Sequence, residues 1–120
     1  MKGTTIVVPA FNEARTIATV LADLHAQAPE RIIVVDDGST DQTAARVRAQ
    51  IAAAMPGGAV ELLRHPANLG KGFALASGIA HALALGTQRV ITFDGDGQHT
   101  GADILRLEQI AARDPEALVI

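Results

Sequence analysis

The chain has 120 residues, 48% hydrophobic and 19% charged, with a net charge of −3 and no cysteine, tryptophan or tyrosine. That is room for one domain with a real core, and it excludes disulfides and thiolate zinc sites. No Lys/Arg stripe, no stacking aromatics and no window near the roughly 18 apolar residues of a membrane span are present, so a soluble, cytoplasmic chain without a nucleic-acid partner is expected.

"TTIVVP" (4–9) is a short, β-branched apolar run and predicts a buried strand. "PAFNEA" follows, where Asn12 is placed to cap a helix whose Ile17, Val20, Leu21 and Leu24 keep helical spacing. "RIIVVD" (31–36) predicts a second strand, ending on Asp36 and Asp37. Ser39 followed by Gln42 fits a capping box, with Ala44, Val47 and Ile51 on one helical face until Pro56-Gly57-Gly58 breaks it. "AVELLR" (59–64) predicts a third strand. "HPANLGKG" then opens an Ala- and Leu-rich helix over 71–85 that stops at Gly86, a suitable C′ glycine. "RVITF" (89–93) predicts a fourth strand, "ADILRLEQIAAR" (102–113) a helix and "ALVI" (117–120) a fifth strand.

This alternation predicts an α/β domain, a mostly parallel sheet with helices on both faces. In such sheets ligands gather beyond the carboxyl ends of the strands. The unusual stretches all lie there: "PAFNE", "DDGSTD", "HPANLGKG" and "DGDGQH". They are expected to converge on one rim.

Each stretch suggests a chemistry. Asp94 and Asp96 provide hard oxygen ligands of the kind Mg²⁺ or Mn²⁺ takes, while Gly95 and Gly97 would let a diphosphate approach. Asp37 can accept from a nucleobase imide or a ribose hydroxyl, and an Asp37→Asn change is expected to weaken nucleotide binding at little cost to folding. Asp36 and Ser39 fit a turn and a cap. Lys71, at a helix start between two glycines, favours an anion. Phe11 could lie flat against a base and Glu13 could accept from the ligand, although Glu13 also suits the helix dipole. The histidines show no metal-ligand spacing; His25 and His81 fit a helix surface, and only His99 lies near the acidic loop. EF-hand, dinucleotide and P-loop patterns fail at defined positions: His99 and Leu105, the glycine-free "PAFNEA", and His65 with Gly72.

In this order and spacing, "VVPAFNE", "VVDDGSTD", "NLGKGFALASG" and "DGDGQH" resemble the family 2 glycosyltransferases of the GT-A fold, above all the dolichol- or polyprenol-phosphate sugar transferases. The resemblance covers nearly the whole chain. Gly95 stands where that group often has alanine, and Phe11 where tyrosine is common. The resemblance implies a Rossmann-like GT-A half-domain and a nucleotide-diphosphate-sugar donor with inversion at the anomeric carbon. By position, Pro9, Phe11, Glu13, Val35 and Asp37 would surround the nucleoside, with Lys71 beside the donor. Asp94 and Asp96, with Gln98 nearby, would hold Mg²⁺ or Mn²⁺ against the diphosphate, with Gly95 between them.

The acceptor side of this family lies in the second half of the domain. Residues 1–120 are therefore expected to be the N-terminal nucleotide-sugar-binding part of one GT-A domain, truncated at "PEALVI", with no identifiable catalytic base. A cut sheet edge is expected to self-associate. A polyprenyl phosphate acceptor would place the complete protein at the cytoplasmic face of a membrane. Two alternatives fit parts of the pattern. One is a non-catalytic nucleotide-binding domain of the same fold. The other is a haloacid-dehalogenase-like phosphatase, whose D-x-D would normally follow the first strand.

Overall fold

The computed structural model describes residues 2–53, 60–94 and 118–119. Their order is β1 (Thr4–Ala10), α1 (Ile17–His25), β2 (Arg31–Asp36), α2 (Thr43–Ala53), β3 (Val60–Arg64), α3 (Lys71–Ala84), β4 (Arg89–Thr92) and β5 (Leu118–Val119). The strands form one sheet in the order β3-β2-β1-β4-β5, and every neighbouring pair is parallel. The helix expected over 102–113 lies outside the described residues.

Alternation along β1 divides the core in two. Ile6, Val8 and Ala10 point to the face covered by α1 and α2, against Ile17, Val20, Leu21, Leu24 and Val47. Val7 points to the other face with Ile33, Val35 and Val90, beneath Ala74 and Ala82 of α3. Both faces are apolar, which is why these strands read as continuous hydrophobic runs. The crossover through α3 approaches the sheet closely because Ala74, Gly78 and Ala82, four residues apart, face it. A Cβ on Gly78 would stand 2.3 Å from Val7 Cγ1.

The chain thus runs outward from β1 through β2 and β3, then crosses the opposite face and returns to pair β4 with β1 on its other side. That reversal makes the β1/β4 boundary a topological switch point, where the diverging connections leave a crevice at the carboxyl ends. The register deepens it. Ala10 of β1 stands level with Asp36, and Asp36 with Arg64, whereas β4 ends at Thr92 opposite Val7. Regular pairing of β4 therefore stops three residues below the exit of β1, a step of about 10 Å at the usual strand rise.

Helix ends depart from the sequence expectation in two places. Asn12 does not cap α1, which starts only at Ile17. Asn12 instead takes a left-handed conformation (φ 52°), and the Glu13 carbonyl turns the chain by accepting from the N–H groups of Thr16 and Ile17. Nor does Ser39 form a capping box with Gln42. Its hydroxyl accepts from the Asn12 N–H (2.9 Å), while Asp41 serves the start of α2 by accepting from the Thr43 N–H (2.9 Å). Long-range partners won over local ones in both loops. At the other end of the chain, Gly86 (φ 83°) does follow the C-cap of α3 as expected.

Candidate nucleotide-binding site

The loops after β1 and β2 are fastened together by backbone donors and side-chain acceptors. Beyond the Asn12–Ser39 bond, Thr40 N–H reaches Asn12 Oδ1 (2.9 Å), Glu13 N–H reaches Thr43 Oγ1 (2.9 Å) and Ala14 N–H reaches Asp41 Oδ2 (3.2 Å). This clasp fixes the segment that carries Phe11 and Glu13. It also explains the left-handed Asn12, since asparagine tolerates that conformation far better than most residues.

A second fastening joins the β2 and β3 exits. Gly38 (φ 77°) lies so close to the Ala67–Asn68 backbone that a Cβ would sit 2.4 Å from the Ala67 carbonyl carbon. This approach lays residues 67–70 over the end of β2, where Leu69 N–H and Gly70 N–H donate to Asp37 at 3.0 and 2.9 Å. His65 Nδ1 adds a third contact at 2.8 Å. Asp37 is buried. Burial alone pushes its carboxyl up, but the Leu69, His65 and Gly70 hydrogen bonds outweigh that and hold it below the ordinary carboxylate value. Asp36 is buried too, with Oδ1 accepting from Ser39 N–H (3.0 Å) and Oδ2 from Arg64 Nε (3.1 Å). Its role is structural, as the turn reading expected.

These loops surround a cleft of about 200 Å³ at the switch point. Pro9, Ala10, Phe11 and Glu13 line it from the β1 exit, and Asp37 from the β2 exit. Asn68, Lys71 and Ala74 close it from the α3 side, and Asp94 stands at the β4 exit. Most of the predicted site residues that are described therefore meet in one place. Val35 does not: it is fully buried in the core beneath α3 and contributes no lining surface, because its side chain points into the sheet face rather than past the strand end. Gly95, Asp96 and Gln98 lie outside the described residues.

Lys71 and Asp94 meet each other across the cleft, Nζ to Oδ2, with both side chains substantially exposed (62% and 43%). The lysine expected to serve an anion and the carboxylate expected to serve a cation are thus mutual counter-ions here. Among the described residues, no group of three or more His, Asp or Glu side chains could hold a metal. Asp94 nonetheless fits one side of a Mg²⁺ or Mn²⁺ site. It is a hard oxygen donor, reachable from the cleft, in a position that already draws a positive charge.

Two histidines escaped the sequence reading. His65 joins Asp37 to Ser77 (Nε2 to Oγ, 2.9 Å), and Phe73 packs edge-on against its ring at 5.6 Å between centroids. His81, expected on a helix surface, is half-buried and contacts Glu61 Oε2 of β3 at 2.8 Å, on the side where Arg31 also pairs with Glu61. The only sequence signal for either was a histidine beside a strand or on a crossover helix, which does not name its partner.

The fold is a Rossmann-like parallel sheet with helices on both faces and a cleft at its switch point. The profile described as Glycosyl transferase family 2 matches residues 5–120, and the chain belongs to that family. It is 31% identical over 124 residues to the UDP-N-acetylglucosamine–dolichyl-phosphate N-acetylglucosaminyltransferase of Methanococcus voltae, covering 96% of this chain and 49% of that protein. Among solved structures it is similar to a mannosyltransferase from Pyrobaculum calidifontis in complex with GDP-Man and Mn²⁺ (TM-score 0.73, 30% identity, 93% of this chain, 32% of that one). It is also similar to glucosyl-3-phosphoglycerate synthase from Mycobacterium tuberculosis in complex with Mn²⁺, UDP and glucosyl-3-phosphoglycerate (TM-score 0.67, 26% identity, 91% and 38%). The chain spans about half the length of the Methanococcus relative and about a third of the Pyrobaculum one. Family membership removes the phosphatase alternative, consistent with Asp94 following the fourth strand and not the first.

Proposed function

We propose that residues 1–120 form the donor-binding part of an inverting glycosyltransferase that moves a sugar from a nucleotide diphosphate to an acceptor, a polyprenyl phosphate in this reading. The observation that carries it is the cleft itself, which places a hydrogen-bond acceptor, Asp37, and a lysine–carboxylate pair, Lys71 and Asp94, on the walls of one switch-point crevice. A nucleoside would enter between Phe11 and Asp37. The ring of Phe11, 42% exposed at the rim, offers an apolar face, and Asp37 offers an acceptor to a base or ribose donor.

The diphosphate would then point toward Lys71 and Asp94. Asp94, together with Asp96 and Gln98, would hold a Mg²⁺ or Mn²⁺ ion, whose chemistry is to neutralise charge on the departing diphosphate. Lys71 would turn its ammonium from Asp94 toward phosphate oxygens, and Pro9 and Glu13 would set the β1 wall. The metal complexes of the Pyrobaculum and Mycobacterium proteins support this assignment. The dolichyl-phosphate acceptor named for the Methanococcus relative supports a lipid phosphate, which brings its own anionic nucleophile and needs no protein base. Such an acceptor implies work at the cytoplasmic face of a membrane, although no helix among the described residues is long and apolar enough to cross one.

The test is release of nucleoside diphosphate by the complete protein from a panel of sugar nucleotides, with and without polyprenyl phosphate. Release that needs a divalent cation and is stopped by EDTA is the expected result. Binding of nucleotide with no release from any donor would identify the non-catalytic alternative.

A further inference from the structure

His65 is a half-buried polar residue with no part in the proposed donor site. It follows β3 directly, its side chain is only 13% exposed, and its ring is held at both nitrogens, by Asp37 Oδ1 (2.8 Å) and Ser77 Oγ (2.9 Å). An ionised Asp37 can only accept, so Nδ1 carries a proton toward it. In the neutral ring Nε2 then accepts from the Ser77 hydroxyl.

The order acid–imidazole–hydroxyl invites comparison with a hydrolase triad, but α3 rules that out. Ser77 lies in the second turn of a 14-residue helix, where backbone N–H groups are spent on helical bonds and none is left to stabilise an oxyanion.

A count of lone pairs shows what the arrangement does instead. A carboxylate offers about four acceptor positions, two on each oxygen. On Asp37, Oδ1 receives both His65 and Leu69 N–H, whereas Oδ2 receives Gly70 N–H. Among the described residues one position remains, on Oδ2, in a residue that lines the cleft. Without His65, Oδ1 would regain an acceptor position and the carboxylate would offer two in place of one.

We propose that His65, braced by Ser77, is a positioning residue that fixes the orientation of the Asp37 carboxylate and leaves it one acceptor toward the cleft, so that a base placing a ring N–H there is held and one placing a bare ring nitrogen there is repelled. The proposal rests on the reading of Asp37 as a nucleoside contact.

The experiment measures binding of UDP, CDP, GDP and ADP to the complete protein by calorimetry, alongside the titration of Asp37 by carboxyl ¹³C NMR in the nucleotide-free protein. Wild type is expected to prefer UDP over CDP or GDP over ADP. His65→Leu, which releases the Asp37 carboxylate to turn, should weaken the preferred nucleotide by about 10-fold and shrink the preference by a similar factor. His65→Asn, whose amide N–H falls near the place of Nδ1, should restore most of both. Ser77→Ala should fall between them. A purely structural role predicts that affinity follows the melting temperature and that the preference stays constant in all three variants; that result overturns the proposal. The NMR titration separates the two levels of the argument. Loss of the His65 bond should raise the Asp37 titration in His65→Leu but not in His65→Asn, and an unmoved Asp37 in His65→Leu also overturns the proposal. If wild type binds none of the four nucleotides, the nucleotide-binding reading fails and takes the proposed discrimination with it, whatever the titration shows.

Discussion

The exits of β2 and β4 look alike in sequence, each an apolar strand running into aspartates and glycine, yet the fold treats them oppositely. At β2, Asp36 and Asp37 are buried, and their oxygens receive three backbone N–H groups, a guanidinium and an imidazole. At β4, Asp94 is exposed at the cleft and meets one flexible cation, Lys71. The first pair organises three loops. The second site keeps its charge where a ligand can reach it. A carboxylate that folding has already solvated with donors contributes stability and shape, whereas one held by an exposed lysine can exchange that partner at small cost.

The largest expected effect tests whether the β2 rim is built as tightly as this implies. Gly38→Ala puts a methyl into the Ala67 backbone at a left-handed position, combining a clash with backbone strain. It should cost more than about 3 kcal/mol in urea denaturation of the complete protein. A loss under 1 kcal/mol would mean that the 67–70 segment does not rest on this turn.

Exchanging the same mutation between the two exits comes next. Asp36→Ala strands the Ser39 N–H and removes the buried partner of the half-exposed Arg64, and should cost about 2–3 kcal/mol, whereas Asp94→Ala should stay within about 0.5 kcal/mol. Asp94→Ala should instead lower sugar transfer by about 100-fold, which corresponds to about 2.7 kcal/mol of lost charge stabilisation. Equal stability losses at the two positions would erase the contrast.

Asp37→Asn is a smaller but more revealing change. The sequence reading expected folding to tolerate it. The structure corrects this, because an amide must turn an NH₂ toward donors at one of its two oxygen positions. A loss of about 2 kcal/mol at neutral pH is expected. The pH dependence sharpens the point. Because the folded carboxyl titrates below its ordinary value of 3.8, its contribution is fully present above that value and is lost as pH falls toward the folded pKa. Wild type should therefore lose stability steeply through this acid window, and Asp37→Asn less steeply. Parallel curves would show that Asp37 is not among the groups responsible.

Lys71→Met should have the smallest effect on stability, no more than about 0.5 kcal/mol, since exposed ion pairs contribute little. Removing the counter-ion from Asp94 should instead tighten Mn²⁺ binding in the absence of nucleotide and weaken nucleoside diphosphate binding, both readable by calorimetry. A large stability loss would place Lys71 with the β2 acids and break the comparison from the other side.

Much of this was legible in the sequence because it depends on local pattern. Continuous β-branched runs marked β1, β2 and β4 correctly, since strands buried on both faces need no polar alternation. Helical spacing marked the buried side of α1, and its residues Ile17, Val20, Leu21 and Leu24 are the ones that reach the core. The alternation of elements placed the strand-end loops on one rim, and Pro9, Phe11, Glu13 and Asp37 did converge there with Lys71 and Asp94, whereas Val35 did not. Local rules failed where a distant partner was better. Asn12 and Ser39 read as helix caps, but each satisfies the other's loop across 27 residues, and Glu13 is bonded to Thr43 across 30.

The sequence by itself therefore determined the class of fold, the rim on which ligands collect and the residue types available there, because periodicity and strand-end chemistry are properties of neighbouring residues. Only the tertiary structure decided how far each carboxylate is taken up by the protein's own donors. Asp36, Asp37 and Asp94 are the same side chain after the same kind of strand. What separates them is the donors that other segments bring: Leu69 and Gly70 because Gly38 lets their loop descend, Arg64 because β3 is in register with β2, and His65 because it leaves β3 one residue later. Those partners come from segments 28 or more residues away, and their arrival depends on packing that no local pattern encodes.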